Sequence, residues 1–304
     1  MSTTSNAGPA FHAEPGGIAP AVLSATRPFY WSVRKELWEY RSIYLAPASI
    51  ALVILLGFVF VLAGLPHTVR GAMEMDAAHQ REAISHPFEI VAALIMAAAF
   101  IVSFYYALDT LYAERRDRSI LFWKSLPVSD LTTVLAKAFV LLILLPAMSV
   151  AITAITEAIV LLLSTAVLAA NGLSVAAFWS QLQAIPTMNA LLYHIVTVHI
   201  LWYAPVYCWL LMISAWSKRA PLLWALLPPF AIVVFERVAF HSMHFQNFLQ
   251  DRVSGGNGGA GMLDPEMRMH AFHFMITPGL WFGLLFAAAF LVVASRLRRA
   301  RGPI

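Results

Sequence analysis

Tyr112-Ala-Glu-Arg-Arg-Asp-Arg-Ser-Ile-Leu-Phe-Trp-Lys-Ser-Leu-Pro-Val-Ser-Asp130 separates two long apolar stretches, and its reading decides how the rest of the chain is understood. It interleaves Glu114, Arg115, Arg116, Asp117, Arg118 and Lys124 with Leu121, Phe122 and Trp123. Charge beside large apolar side chains suits a surface that docks another protein, because aromatic anchors amid charge are what interface hot spots are made of. The other reading is that Phe122 and Trp123 lie among lipid headgroups as an aromatic belt. Locally, the pattern predicts helix continuing through Glu114 to Arg118 and a short helix over 120–126 capped by Ser119 and ended by Pro127. Ser129 or Asp130 then caps the next helix.

The surroundings explain why this run stands out. Hydrophobic residues make up 60% of the 304 and charged residues 12%, with mean hydropathy +0.74, whereas roughly 25% of a soluble domain is charged. An integral membrane protein is expected. Six stretches reach the ~20 residues that a helix needs to cross a ~30 Å hydrocarbon core: 43–65, 87–111, 138–169, 187–216, 221–240 and 274–297. The third exceeds one crossing, so it is expected to tilt, to run beyond the bilayer or to break near Pro146. Pro47, Pro205, Pro228, Pro229 and Pro278 also fall in these stretches, where each frees a carbonyl that neighbouring structure must satisfy. The expected fold is all-α, a polytopic membrane protein of six transmembrane helices preceded by an amphipathic interfacial helix.

That first helix is read from 27–41, where Tyr30, Val33, Leu37 and Trp38 share one face and Arg34, Lys35, Glu36 and Glu39 the other. Residues 1–25, rich in Ala, Pro, Gly and Ser, read as a disordered cytoplasmic tail with no signal-peptide pattern. Residues 26–304 read as one six-helix domain, with the charged loop at 112–136 and a flexible outer loop at 241–273 that holds the Gly-rich run Ser254–Gly261. Of the 20 Lys and Arg residues, fifteen fall on one side of the expected alternation, which places both termini in the cytoplasm.

No Gly-x-x-x-x-Gly-Lys-Ser/Thr motif is present: no glycine occurs between Gly71 and Gly172, and none of Lys35, Lys124, Lys137 and Lys218 follows a Gly-rich turn. Any ATP-driven work therefore needs a motor on another polypeptide. Cys208 is the only cysteine, which excludes an internal disulfide and a cysteine-based metal centre.

The run from Tyr112 to Ala138, with Glu-Arg-Arg-Asp-Arg at 114–118 and Phe-Trp-Lys-Ser-Leu-Pro-Val-Ser at 122–129, resembles the first cytoplasmic loop of bacterial ABC transporter permeases of the type-2 exporter family. The resemblance extends from about Arg27 to the layout of the whole chain. It implies an elbow helix containing Tyr30, Trp31, Val33, Leu37 and Trp38, and a coupling region containing Glu114, Arg115, Arg116, Asp117, Arg118, Phe122, Trp123 and Lys124. It further implies a second permease subunit, separate cytoplasmic ATPase subunits that carry ATP and Mg, and the bacterial inner membrane. No cofactor in this chain and no nucleic-acid partner is implied, and the cargo is not.

Ionisable residues inside the apolar stretches offer other chemistry. Glu157, flanked by Thr153 and Thr156, could line a substrate path or bind a cation, or be neutral and hydrogen-bonded to a neighbouring helix. Glu236 with Arg237 reads as an interfacial pair. His241/His244 and His270/His273 have i, i+3 spacing suited to metal, but no carboxylate completes a recognised motif. His194 and His199 raise haem ligation, against which stands their spacing of five, off one α-helical face. A membrane-embedded metal or haem enzyme is thus the alternative to a transport subunit.

Overall fold

The computed structural model describes residues 26–182, 184–253 and 276–304. The tail at 1–25, the Gly-rich run 254–261 and the pair His270/His273 lie outside the described residues. Within them the chain is all-helical, with no strand. The elements are α1 (Thr26–Glu39), α2 (Ser42–Val61), α3 (Leu65–Met73), α4 (Ala77–Arg116), α5 (Ser119–Lys124) and α6 (Asp130–Phe139). A π-helical turn, π1 (Val140–Leu144), joins α6 to α7 (Leu145–Ala170), followed by α8 (Val175–Gln181) and α9 (Ala184–His194). A second π segment, π2 (Ile195–Trp202), leads to α10 (Ala204–Trp216), α11 (Pro221–Ala239), α12 (His244–Val253) and α13 (Pro278–Ala300).

Among the described residues, five helical runs are long and apolar enough to cross a membrane: Ser42–Val61, His79–Arg116, Asp130–Ala170, Pro221–Ala239 and Pro278–Ala300. A sixth exists if Leu191–Trp202 and Ala204–Trp216, bent by 48°, count as one span. The bend coincides with Pro205 at the start of α10, where a missing N–H leaves the preceding ladder open. The break expected near Pro146 takes a milder form. Proline there withdraws the helical donor to Leu142, and the backbone widens into π1 just before it. Pro47, Pro228 and Pro229 are carried inside unbroken helices, and Pro278 starts α13 instead of interrupting it.

The core centres on α10, which packs on α4 and α13. Tyr106, Tyr207, Leu111, Leu141, Leu145 and Leu211 are buried there. A second cluster joins α3, α4, α7 and α8 through Val69, Ile84, Phe88, Val160, Leu161, Leu168 and Phe178. In α11 only Ala225 is buried, while Phe230, Phe235 and Val238 lie open, the all-round apolar character of a helix made for lipid or for another subunit.

The bundle has two ends. One carries α1, α5, the α10–α11 turn and the C-terminal residues, and we call it the basic end. At the opposite end lie α3, α8 and α12. The flexible loop expected over 241–273 is corrected in part: 244–253 forms α12. Its first turn is held by Glu236, whose carboxylate accepts from the His244 and Phe245 N–H groups and the Ser242 hydroxyl, each at 2.8 Å, so Glu236 caps a helix and does not serve as a pair with Arg237. The last turn of α12 inserts Arg252 into the bundle. Its guanidinium lies 4.1 Å from the Trp202 ring and donates to the carbonyls of Trp202 (3.1 Å) and Gly279. Gly283 permits this approach, since a Cβ there would meet the guanidinium nitrogen at 2.5 Å.

Candidate functional site

The turn between α4 and α5 is made by Arg118, which adopts φ 60 and occupies the cap position expected for Ser119. The Ser119 hydroxyl instead donates to the Glu114 carbonyl at 3.4 Å. Ile120 points inward, 1% exposed, and holds α5 to the bundle; burying such a side chain stabilises by about 1.5–3 kcal/mol. With Ile120 down, Leu121 and Phe122 point out, 58% and 61% exposed. Trp123 is half-buried, edge-on to Phe122 at 5.0 Å and beneath the Lys35 ammonium at 4.1 Å. Lys124 donates to the Arg299 and Arg301 carbonyls at 3.2 and 3.1 Å, so the C-terminal residues brace α5 from another side. As the sequence predicts, Ser129 caps α6, its Oγ accepting from the Thr132 N–H at 3.0 Å.

Beneath α5 lies an ion cluster that joins residues far apart in the sequence. Lys137, fully buried in α6, donates to Glu36 Oε1 at 2.7 Å and to Thr110 Oγ1 at 2.8 Å, and lies 3.1 Å from Glu114 Oε1. Lys35 of α1 reaches the same Glu114 oxygen at 2.9 Å. Arg298 of α13 meets Glu114 Oε2 at 3.2 Å and also pairs with Asp130. Glu36 Oε2 accepts from Tyr106 at 2.9 Å and Thr110 at 3.0 Å. Three cations and three carboxylates thus knit α1, α4, α6 and α13 together. Burial alone would raise the Glu36 carboxyl, but Lys137 and Lys35 hold it below the usual carboxylate range. Burial likewise opposes charge on Lys35, and Glu36 and Glu114 overcome it and raise the ammonium above its ordinary value.

The expected charged contacts therefore divide. Glu114 and Arg115, expected on the loop surface, are 1% and 3% exposed. Arg115 donates to the carbonyls of Ala215 (2.7 Å) and Ser217 (3.0 Å) and closes the α10–α11 turn. Arg116, Asp117, Arg118 and Lys124 remain at the surface with Phe122. Between α1 and α5 a cleft of about 90 Å³ is lined by Trp31, Lys35, Glu36, Glu114, Trp123 and Leu126, among others.

On α1 the structure alters the expected faces. Val33 and Leu37 pack on the core, whereas Tyr30, Trp31 and Trp38 are exposed, and Arg34 lies over both Trp31 and Trp38 at 5.1 and 4.9 Å. Lys35 and Glu36, read as part of a free polar face, turn into the ion cluster because Lys137 and Glu114 offer opposite charge there.

Deeper in the bundle, Glu157 is 5% exposed and its Oε1 has no hydrogen-bond partner. Thr153 and Thr156 do not serve it, since their hydroxyls donate to the Ser149 and Ile152 carbonyls at 2.9 and 2.7 Å. The spacing of His194 and His199 reads differently once π2 is seen: where backbone bonds join i to i+5, five residues come close to one turn. Both rings are buried and His199 lies 3.4 Å from the Tyr207 hydroxyl. Even so, no group of three His, Cys, Asp or Glu suited to a metal ion occurs among the described residues.

Comparison with known proteins adds no identity. No family model, no curated protein and no solved structure matches the chain.

The ion cluster had a signal in the sequence. From α6 into π1, Val134, Lys137, Ala138 and Leu141 fall at i, i+3, i+4 and i+7, on the face that continues into the buried helix. A lysine on an apolar face requires a carboxylate opposite, and Glu36 and Glu114 were available.

Proposed function

We propose that the chain is the transmembrane subunit of an ATP-driven exporter, and that α5 transmits the nucleotide cycle of a separate cytoplasmic ATPase to the bundle. The observation that carries this reading is the pairing of an outward Leu121–Phe122 surface with a buried, charge-balanced base tied to four helices. A partner that pushed on a loosely held loop would move only the loop. One that pushes on α5 acts through Ile120, Trp123 and the ion cluster on α1, α4, α6 and α13 together.

Under this reading Leu121, Phe122 and half-buried Trp123 supply the apolar anchors, and Arg116, Asp117, Arg118 and Lys124 set the register. ATP and Mg are bound by the partner. The ATPase shifts the permease only if it binds α5 differently in its open and closed states. In this reading the bent pair is the fourth of six crossings, and the weight of Lys and Arg at the basic end supports both termini lying in the cytoplasm of a bacterial inner-membrane protein. The open apolar sides of α2, α11 and α13 suit lipid and a second permease subunit.

The test is extraction of the full chain from its native membrane in mild detergent, followed by intact-complex mass spectrometry. An ATP-binding subunit in equal number is expected, and Phe122→Ala with Trp123→Ala should lose it while the permease stays in the membrane. Purification of the wild-type chain without any nucleotide-binding partner would overturn the proposal.

A further inference from the structure

Among the described residues, five buried side-chain polar atoms have no hydrogen-bond partner, and three of them lie on helices that pack on one another. They are Ser85 Oγ on α4, Glu157 Oε1 on α7 and Gln181 Oε1 on α8, three helices that pack on one another. All three flank the same apolar cluster. Ser85 lies between Ile84 and Phe88, Glu157 about one turn before Val160 and Leu161, and Gln181 about one turn after Phe178. The cluster reaches the opposite end of the bundle, where α7 stops at Ala170 and the chain turns through Gly172, φ +69, into α8.

Each orphan is an oxygen, and a buried acceptor without a donor costs about 1–3 kcal/mol. The nearest hydroxyls on α7 do not relieve Glu157: Ser149, Thr153, Thr156 and Ser164 all donate to carbonyls of their own helix at 2.7–3.0 Å. None of the ion pairs among the described residues includes Glu157. The contrast with Glu36 and Glu114 is complete, since every oxygen of those two is met by a cation or a hydroxyl. An ionisable group inside an apolar span is costly enough that it marks a pathway or a relay by default. A cation complements oxygen acceptors that lead to a carboxylate.

We propose that the α4–α7–α8 corner is a cation site, with Glu157 as its charged ligand and Ser85 and Gln181 as neutral oxygens on the route from the opposite end. The cation is monovalent and small, since a single carboxylate neutralises it. An alkylammonium group of the cargo and a coupling ion such as Na⁺ share this chemistry. Only the naming of the ammonium as cargo rests on the exporter reading.

The experiment uses the purified full chain in lipid nanodiscs, without any ATPase, so that it succeeds or fails independently of the partner. Thermal unfolding midpoints are measured against hexylammonium chloride, against NaCl with choline chloride as the baseline, and against hexanol as the neutral control. A saturable rise with hexylammonium assigns a cargo ammonium, and one with Na⁺ assigns a coupling ion. In either case Glu157→Gln should weaken the response by roughly tenfold or more, the scale of a lost charge-assisted hydrogen bond, and Glu157→Asp should keep part of it. If Glu157→Gln does not fold, Ser85→Ala gives the second reading, with a smaller weakening expected. No response to either cation, an equal response to hexanol, or responses unchanged by the substitutions would overturn the site.

Discussion

Charge is buried at both ends of the bundle, but by opposite means. At the basic end Lys35, Lys137 and Arg298 meet Glu36, Glu114 and Asp130, so opposite charge is supplied by four different helices. At the opposite end Arg252 is 3% exposed and is held by two carbonyls and by the rings of Trp202 and Phe248, with no acid in the set. Burial accordingly lowers the Arg252 guanidinium from its ordinary value. The first arrangement fails badly if any member is removed, because the charge left behind is buried without its partner. Neutral dipoles and ring faces hold the second.

The largest effect should follow from breaking the basic end. Lys137→Met leaves Glu36 and Glu114 facing each other without their central cation, and removal of one partner from a buried pair costs about 3–5 kcal/mol. Unfolding of the purified chain should show that loss, and combining it with Glu36→Gln should cost less than the sum of the two single changes. Equal and additive losses would mean that the cluster is not one unit.

Acid and alkali probe the same contrast. Glu36, held below its ordinary value of 4.5, contributes stability that is present above 4.5 and lost as pH falls through its folded value. Lys35, raised above its ordinary 10.5, contributes stability that is present below 10.5 and lost as pH rises through its folded value. The contribution of the cluster should therefore be flat between those limits. A plot of unfolding midpoint against pH checks it, and Lys137→Met should shrink the acid limb, leaving the part that Lys35 supports. Among the described residues Arg252 pairs with no acid, so no contribution from it to that limb is expected.

At the opposite end Gly283→Ala places a methyl group against the Arg252 guanidinium, 2.5 Å from one nitrogen and 2.9 Å from the carbon. Overpacking of this kind costs about 1–3 kcal/mol. The loss should shrink in an Arg252→Ala background; a loss of the same size there would show that Gly283 serves something else. Smallest of all is the effect of Phe122→Ala on stability, expected within ~0.5 kcal/mol because the ring is exposed, although partner binding should be lost.

Much of this architecture was legible because long apolar runs and punctuating charge are strong signals. The helical class, the apolar lengths, the short helix before Pro127 and the Ser129 cap all follow from local chemistry. What escaped depended on tertiary partners. Lys137 and Arg298 read as ordinary flanking cations because a sequence does not show that Glu36 and Glu114 come within 3.1 Å of Lys137, and Glu114 within 3.2 Å of Arg298. Glu36 and Lys35 read as a solvated face for the same reason. The helix at 244–253 escaped because its cap, Glu236, comes from the preceding span. His194 and His199 were judged by α-helical geometry, and the π winding that changes their relation had no sequence mark.

The claim that α5 is a docking surface on the cytoplasmic side can be tested most directly by cysteine accessibility. Cys208, 1% exposed, gives a silent background, so Phe122→Cys reports on its own. A membrane-impermeant maleimide should label it in inverted vesicles stripped of peripheral proteins by urea, and should label it poorly both in unstripped vesicles and in right-side-out vesicles. Labelling in right-side-out vesicles, or equal labelling before and after stripping, would contradict the account.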